Sequence, residues 1–224
     1  MASTKSKILT LLEENRGQTL SGSDIAKKLN ISRSAVWKGI EELRKEGHEI
    51  HAATNRGYCL AESSDLLSAE GISLWLTTPA IAKDNIHIYK SIGSTNQEAK
   101  KMAVAGAGHG TVILAEEQTE GRGRRGRSFF SPKGTGIYMS VILRPQGTAE
   151  EAVLTTTAAA VAVSRAISRV LEIETRIKWV NDIFVGDQKV CGILTEAVSD
   201  FQTGTIESLI LGIGVNVTTG KESF

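Results

Sequence analysis

The 224-residue chain carries 26 Lys and Arg against 25 Asp and Glu, a net charge of +1, with 41% hydrophobic and 23% charged residues. This is an ordinary globular balance, enough for one large domain or two unequal ones. It excludes a polycation, so any nucleic-acid contact must come from a local basic patch. Four His and two Cys argue against a zinc site, and neither Cys59 nor Cys191 sits in a C-x-x-C pattern. Met1 to Lys7 leads into no apolar stretch of signal-peptide length, and no run approaches the ~18 apolar residues of a membrane span. The expectation is a cytoplasmic protein with no disulfide framework and no membrane partner.

The first block, 1–62, opens with apolar Ile8, Leu9, Leu11 and Leu12 on a helical period over Ser6 to Glu14. Ser21 is placed to cap a second helix, and Ser32 or Ser34 a third, whose buried face is Val36, Ile40 and Leu43 and which Gly47 ends. Residues 48–53 and 57–60 read as two short strands around Thr54-Asn55-Arg56. Three helices and a hairpin outline a winged helix-turn-helix. Its third helix would offer Ser32, Arg33, Ser34, Trp37 and Lys38 to a major groove, with Arg56 reaching the backbone or minor groove. The plainer alternative is a small helical domain used for protein contact.

Glu62 to Asp65 form a polar connector, and the second block, 65–224, is α+β. It begins with a helix at about Leu66 to Leu76 and a strand over Ile86 to Lys90. A helix over Gln97 to Ala105 and a strand over Thr111 to Glu116 follow, then a Gly/Arg loop and a strand over Gly136 to Leu143. A long Ala-rich helix covers about Glu150 to Leu171. Strands are expected over 175–180, 183–185, 189–198 and 208–217, with turns at Gly186-Asp187 and Thr203-Gly204. The sheet should be mixed or mostly antiparallel.

Four segments carry chemistry. Gly121-Arg122-Gly123-Arg124-Arg125-Gly126-Arg127 makes a flexible cationic loop suited to phosphate oxygens. Arg/Gly runs also bind nucleic acid, but the flanking strands and Gln118 favour a small-molecule site. In Lys178-Trp179-Val180-Asn181-Asp182, a half-buried strand lysine would neutralise developing phosphate charge. Taken alone, a lysine snorkelling from an edge strand is the stronger reading. Ser94-Thr95-Asn96 stands at a strand-to-helix junction and, alone, is a helix cap. Gly212 to Val217 permits close approach of backbone to ligand, or marks a bulged strand.

In this order and spacing, the four segments resemble the biotin protein ligases of the biotin operon repressor type. Those share a Ser-Thr-Asn segment, a Gln ahead of GRGRRGR, a KWPND segment and a glycine-rich segment ending in Gly-x-Asn. The resemblance implies a class II synthetase-like catalytic domain, with a mixed sheet packed by helices, behind the winged helix. It implies biotinyl-5′-AMP formation from biotin and ATP with Mg²⁺, then biotin transfer to a lysine of the biotin carboxyl carrier protein of acetyl-CoA carboxylase. Biotin-dependent repression at operator DNA by a homodimer is implied as well.

By the same resemblance, Ser94, Thr95, Asn96, Gln118, Gly121, Arg122, Arg124, Lys178 and Gly192 hold biotin. Arg122, Arg124, Arg125, Arg127, Phe129, Asn181, Asp182, Gly214 and Asn216 hold the nucleotide, while Lys178 and Arg122 are catalytic; direct metal ligands are not indicated. Val180 replaces the usual proline, and Phe129 stands where an adenylate-packing tryptophan is frequent. Relatives usually continue past the Gly-x-Asn segment through further helices and a small β-barrel, so a C-terminally truncated catalytic domain is expected. A biotin-sensing repressor with little ligase activity is the alternative. A lipoate ligase is a further one, disfavoured by GRGRRGR and the winged helix.

Overall fold

The computed structural model describes residues 3–53, 56–145, 149–199 and 205–219. The chain divides into two compact units at Thr77/Thr78, later than the connector at Glu62 to Asp65.

The first unit holds α1 (Thr4–Glu14), α2 (Gly22–Leu29), α3 (Arg33–Glu46), the antiparallel pair β1 (Ile50–Ala53) and β2 (Gly57–Leu60), and α4 (Ala69–Ser73). Side chains of Ser3, Ser21 and Ser32 accept N–H bonds at the starts of the first three helices, each cap supporting its helix by about 1 kcal/mol. Asn30 and Gly47 close α2 and α3 in left-handed conformations. Ile8, Leu12, Ile25, Val36, Ile40, Leu43 and Leu60 are fully buried in one core. Each contributes roughly 1.5–3 kcal/mol through burial. Thr54 and Asn55, which follow β1 in sequence, and Thr203 and Gly204, where a turn is expected, lie outside the described residues.

The helix expected over Leu66 to Leu76 is much shorter. Ser68 caps at the N–H of Gly71, so α4 starts only at Ala69 and ends by Leu74. Polar bonds tie α4 and the segment before it to α1. Ser68 donates to the buried Glu13, Ser6 to Glu70, and Arg16 bonds Glu13 and the Ser64 carbonyl. These bonds place the segment in the first unit.

The second unit comprises β3 (Ile86–Tyr89), α5 (Thr95–Val104), β4 (Thr111–Ala115), β5 (Gly136–Leu143), α6 (Ala149–Leu171), β6 (Arg176–Lys178), β7 (Asp182–Val185), β8 (Gln188–Ser199) and β9 (Ile206–Asn216). The strands form one sheet in the order β3-β4-β5-β9-β8-β7-β6, with β3/β4 parallel and every other pair antiparallel. Gly186-Asp187 forms the two-residue turn expected between β7 and β8. Alternation along β9 assigns the two faces. Leu211 and Ile213 pack with Ala159, Ala160 and Ile183 of the α6 side. Ile210 packs with Ala99 and Ala103 of α5. Cys191 also belongs to the α6 side, where burial pushes its thiol up to about 12. It is a packed, protonated side chain there.

Candidate active site

The face of β9 that packs Ile210 beneath α5 continues as Gly212 and Gly214. Their register partners are Ser140 and Tyr138 on β5, and Leu194 and Gly192 on β8. Two of the three central positions in the last row have no side chain. Beyond the start of α5, the sheet therefore opens into a cleft of about 370 Å³ with main chain for much of its floor. The ring of Phe129 lies over Gly214 and reaches Gly192, where an added Cβ would be 3.2 Å from it, and it meets Tyr138 edge-on.

One wall is polar and buried. Ser94 occupies the N-cap position of α5, but its side chain makes no capping bond, and the helix starts two residues before the predicted Gln97. Thr95 and Asn96 thus fall in the first turn and face inward, 4% and 5% exposed. Gln118 Oε1 accepts from the Thr95 N–H at 2.8 Å and from its hydroxyl at 3.0 Å, while Gln118 Nε2 donates to Ser131 at 2.9 Å. Ser140 Oγ lies 2.8 Å from Thr95 Oγ1 and 2.6 Å from Asn96 Oδ1. Asn96 Nδ2 donates to Glu196 at 2.7 Å, and Lys100 pairs with the other carboxylate oxygen at 2.5 Å. Burial raises the Glu196 pKa, but hydrogen bonds from Lys100 and Asn96 and the charges of Lys100 and Arg122 outweigh it and hold the group below the usual range.

The other wall is cationic. The arginine segment, expected to be a flexible loop, is a narrow turn closed by backbone bonds from Phe129 N–H to Gly121 O (2.8 Å), Gly123 N–H to Arg127 O (2.7 Å) and Arg127 N–H to Arg124 O (3.2 Å). Arg122 donates to the Gln97 amide oxygen on α5. Arg124 donates to Asn181 Oδ1 at 2.8 Å, and Asn181 Nδ2 donates to the Ile193 carbonyl at 3.1 Å. Asp182 is the carboxylate lining the cleft among the described residues, and Lys189 pairs with it at 2.7 Å.

Of the residues expected from sequence, Ser94, Thr95, Asn96, Gln118, Arg122, Arg124, Arg125, Arg127, Phe129, Asn181, Asp182, Gly192 and Gly214 all line this cleft. Three do not. Gly121 is buried at the neck of the arginine turn, where the Phe129 carbonyl leaves no space for a side chain. Asn216 ends β9 with its Oδ1 buried and unbonded among the described residues. Lys178 is exposed rather than half-buried, because β6 is the sheet's edge strand, and its ammonium lies 5.7 Å from the centre of the Phe184 ring. Its register partner is Asp182, so it stands one strand away from the cleft. Lys189, Ser140, Ser131 and Glu196 escaped the sequence reading. Glu196 stands at period-two spacing from Gly192 and Ser140 from Tyr138 within β5, which tells the face but not the neighbour; Lys189 and Ser131 carry no such signal.

In the first unit, α3 buries Val36, Gly39, Ile40 and Leu43 and exposes Arg33, Ser34, Trp37 and Lys38 on the opposite side, with Trp37 59% exposed. The Ser32 hydroxyl caps the helix and contacts Ser34 Oγ at 2.9 Å. Arg44 is held by Glu41 and the Ile50 carbonyl, which makes it a structural residue. Arg56 is exposed beside the hairpin tip.

Comparison with known proteins agrees with both units. An HTH domain model matches residues 4–59. The bifunctional ligase/repressor BirA of Bacillus spizizenii is 40% identical over 225 residues, covering 100% of this chain and 68% of that protein. The Escherichia coli BirA is 31% identical, covering 94% of this chain and 63% of that protein. The biotin protein ligase of Aquifex aeolicus, solved with biotin and ATP, superposes with a TM-score of 0.52 at 33% identity, over 62% of this chain and 56% of that one. The Leishmania major enzyme with biotinyl-5-AMP superposes at 0.52 and 30% identity, over 60% and 58%. The model of the biotin/lipoate A/B protein ligase family matches residues 88–216, and the chain belongs to that family.

Proposed function

We propose that the cleft joins biotin to AMP and passes the biotinyl group to a lysine of a biotin carboxyl carrier protein, and that the first unit represses transcription at an operator. The observation that carries the first part is the pairing of two unlike walls across a glycine floor. Ser94, Thr95 and Asn96, all buried, and the half-buried Gln118 offer hydrogen-bonding groups suited to a neutral ureido ring. Arg122, Arg124, Arg125, Arg127 and Lys189 offer cations suited to phosphates.

A biotin carboxylate oxygen attacks the α-phosphorus of ATP, and the bond to pyrophosphate breaks. The acceptor amine then attacks the acyl carbon, AMP leaves and the amine loses its proton. The substrates and the partner's lysine supply all the reacting groups, so the residues act by orientation and charge neutralisation. Arg122 sits where the walls meet and can serve both substrates. Lys178 enters by swinging off Phe184. An exposed cation–π contact holds it by only about 0.5–1 kcal/mol, less than a charge-assisted bond to phosphate returns. Phe129 and Gly214 would face the nucleotide, and Asn216 would meet it with its unbonded carbonyl. Mg²⁺ would arrive with ATP and screen its phosphates. Asp182 is the cleft carboxylate able to face it, which fits an ion bound through one carboxylate and waters.

On α3, Arg33, Ser34, Trp37 and Lys38 would enter the major groove, with Ser32 at the helix start and Arg56 on the flanking backbone. A homodimer would match paired half-sites, in a cytoplasmic setting. The deciding experiment incubates the chain with biotin, ATP, Mg²⁺ and a carrier domain and follows biotinylation. ATP-dependent labelling of the carrier lysine supports the reading. Tight biotin binding without transfer would leave a biotin-sensing repressor, and preference for lipoate would overturn the substrate.

A further inference from the structure

We propose that Glu196 is a positioning residue which keeps the polar wall short of one hydrogen and so selects a ligand that donates an N–H there. This rests on the reading of the cleft as a biotin site. A carboxylate only accepts hydrogen bonds. The Asn96 group 2.7 Å from Glu196 must therefore be its NH₂, whose other neighbour, the Leu194 carbonyl at 3.4 Å, is also an acceptor. The Asn96 oxygen is then forced toward Ser140.

Three contacts now run along the wall: Asn96 Oδ1 to Ser140 Oγ (2.6 Å), Ser140 Oγ to Thr95 Oγ1 (2.8 Å), and Thr95 Oγ1 to Gln118 Oε1 (3.0 Å). Two hydroxyl protons must serve all three. Gln118 cannot supply the third, because the Thr95 N–H holds its oxygen toward Thr95 and leaves its NH₂ facing Ser131. Ser140 is fully buried, so no bulk water reaches it. Thr95 and Asn96 both line the cleft, where a ligand N–H reaching either oxygen completes the count.

A neutral group at position 196 removes the constraint. Asn96 can turn its NH₂ to Ser140, the shortage disappears, and the N–H ligand loses its advantage. The charged groups facing Glu196 are Lys100 on α5 and Arg122 on the arginine turn; both are cations that favour the ionised form. Gly212 belongs to the same device, since any side chain there would collide with the Asn96 amide.

The test uses calorimetry on the full chain with biotin amide, whose tail does not titrate, and with its analogue methylated on a ureido nitrogen. Glu196→Gln should weaken biotin amide about ten-fold, the worth of one buried hydrogen bond. The methylated analogue should bind wild type weakly and lose much less in the variant, because the two changes remove the same bond. Lys100→Gln, which breaks the ion pair and leaves the Asn96 bond, should change affinity by less than about three-fold. Equal losses for both ligands in Glu196→Gln, or no loss for either, would overturn the inference. Should that variant not fold, wild type decides alone: its affinity for biotin amide should drop as the pH falls through the Glu196 titration, and a flat profile overturns the inference. Failure of wild type to bind biotin amide at all would instead count against the biotin reading.

Discussion

Phe129 lies against the backbone of Gly214 with no space between them for a methyl group. Gly214→Ala must push the ring off the floor or bend β9, a strand paired on both sides. Overpacking of this kind costs about 1–3 kcal/mol. Denaturant unfolding should show that loss, and Phe129→Leu in the same chain should recover part of it. Strict additivity of the two changes would mean the ring and the glycine do not press on each other.

Lys178→Ala should lower adenylate formation about 100-fold or more, the scale of losing one charge-stabilising group, with the unfolding midpoint little changed because the residue is exposed on an edge strand. Pyrophosphate release measures it. Lys189→Ala should act mainly on the ATP KM, since that ammonium already sits in the cleft against Asp182. Normal turnover in Lys178→Ala would pass its role to Lys189.

His48 is buried in the first unit with Nδ1 unbonded among the described residues. Burial lowers its pKa below 6.5, aided by Arg16 and opposed by Glu13, Glu46 and Glu70. A depressed histidine stays neutral when folded and takes up a proton on unfolding. Its contribution to stability is therefore complete above the ordinary histidine range and lost as the pH falls through it. Protection factors of α1 and α3 amides, taken relative to the intrinsic exchange rate at each pH, should fall on acidification in wild type, and less so in His48→Leu.

Arg33→Ala should weaken operator binding at every sequence and reduce the salt slope by about 1 if it meets a phosphate. If it reads a base, it should instead relax sequence preference and cost about 1–3 kcal/mol. Biotin adenylation by the same variant should be unchanged. Fluorescence anisotropy over a salt series separates the two cases, and undiminished binding would remove Arg33 from the interface.

Much of this architecture was legible in the residues. Serine caps, left-handed closers and the Val36-Ile40-Leu43 stripe are local signals, and the first three helices formed where they pointed. Alternation located the strands, and Gly186-Asp187 marked the tight turn. The misses were long-range. Nothing local says that Ser94 will leave its helix uncapped while Thr95 and Asn96 turn toward residues 118, 140 and 196. The edge position of β6, which exposes Lys178, depends on strand order. The short α4 depends on Ser68 preferring Gly71 and Glu13 to a longer helix.

Because positions 192, 212 and 214 are glycine, Phe129 and Asn96 lie directly on the peptide groups of the sheet, which every sequence shares. Drift at neighbouring strand positions turns toward α6 and away from the bound molecule. Retuning this protein toward another acid would therefore have to proceed through the first turn of α5 and the arginine turn, two short stretches that can vary while the platform beneath them keeps its shape.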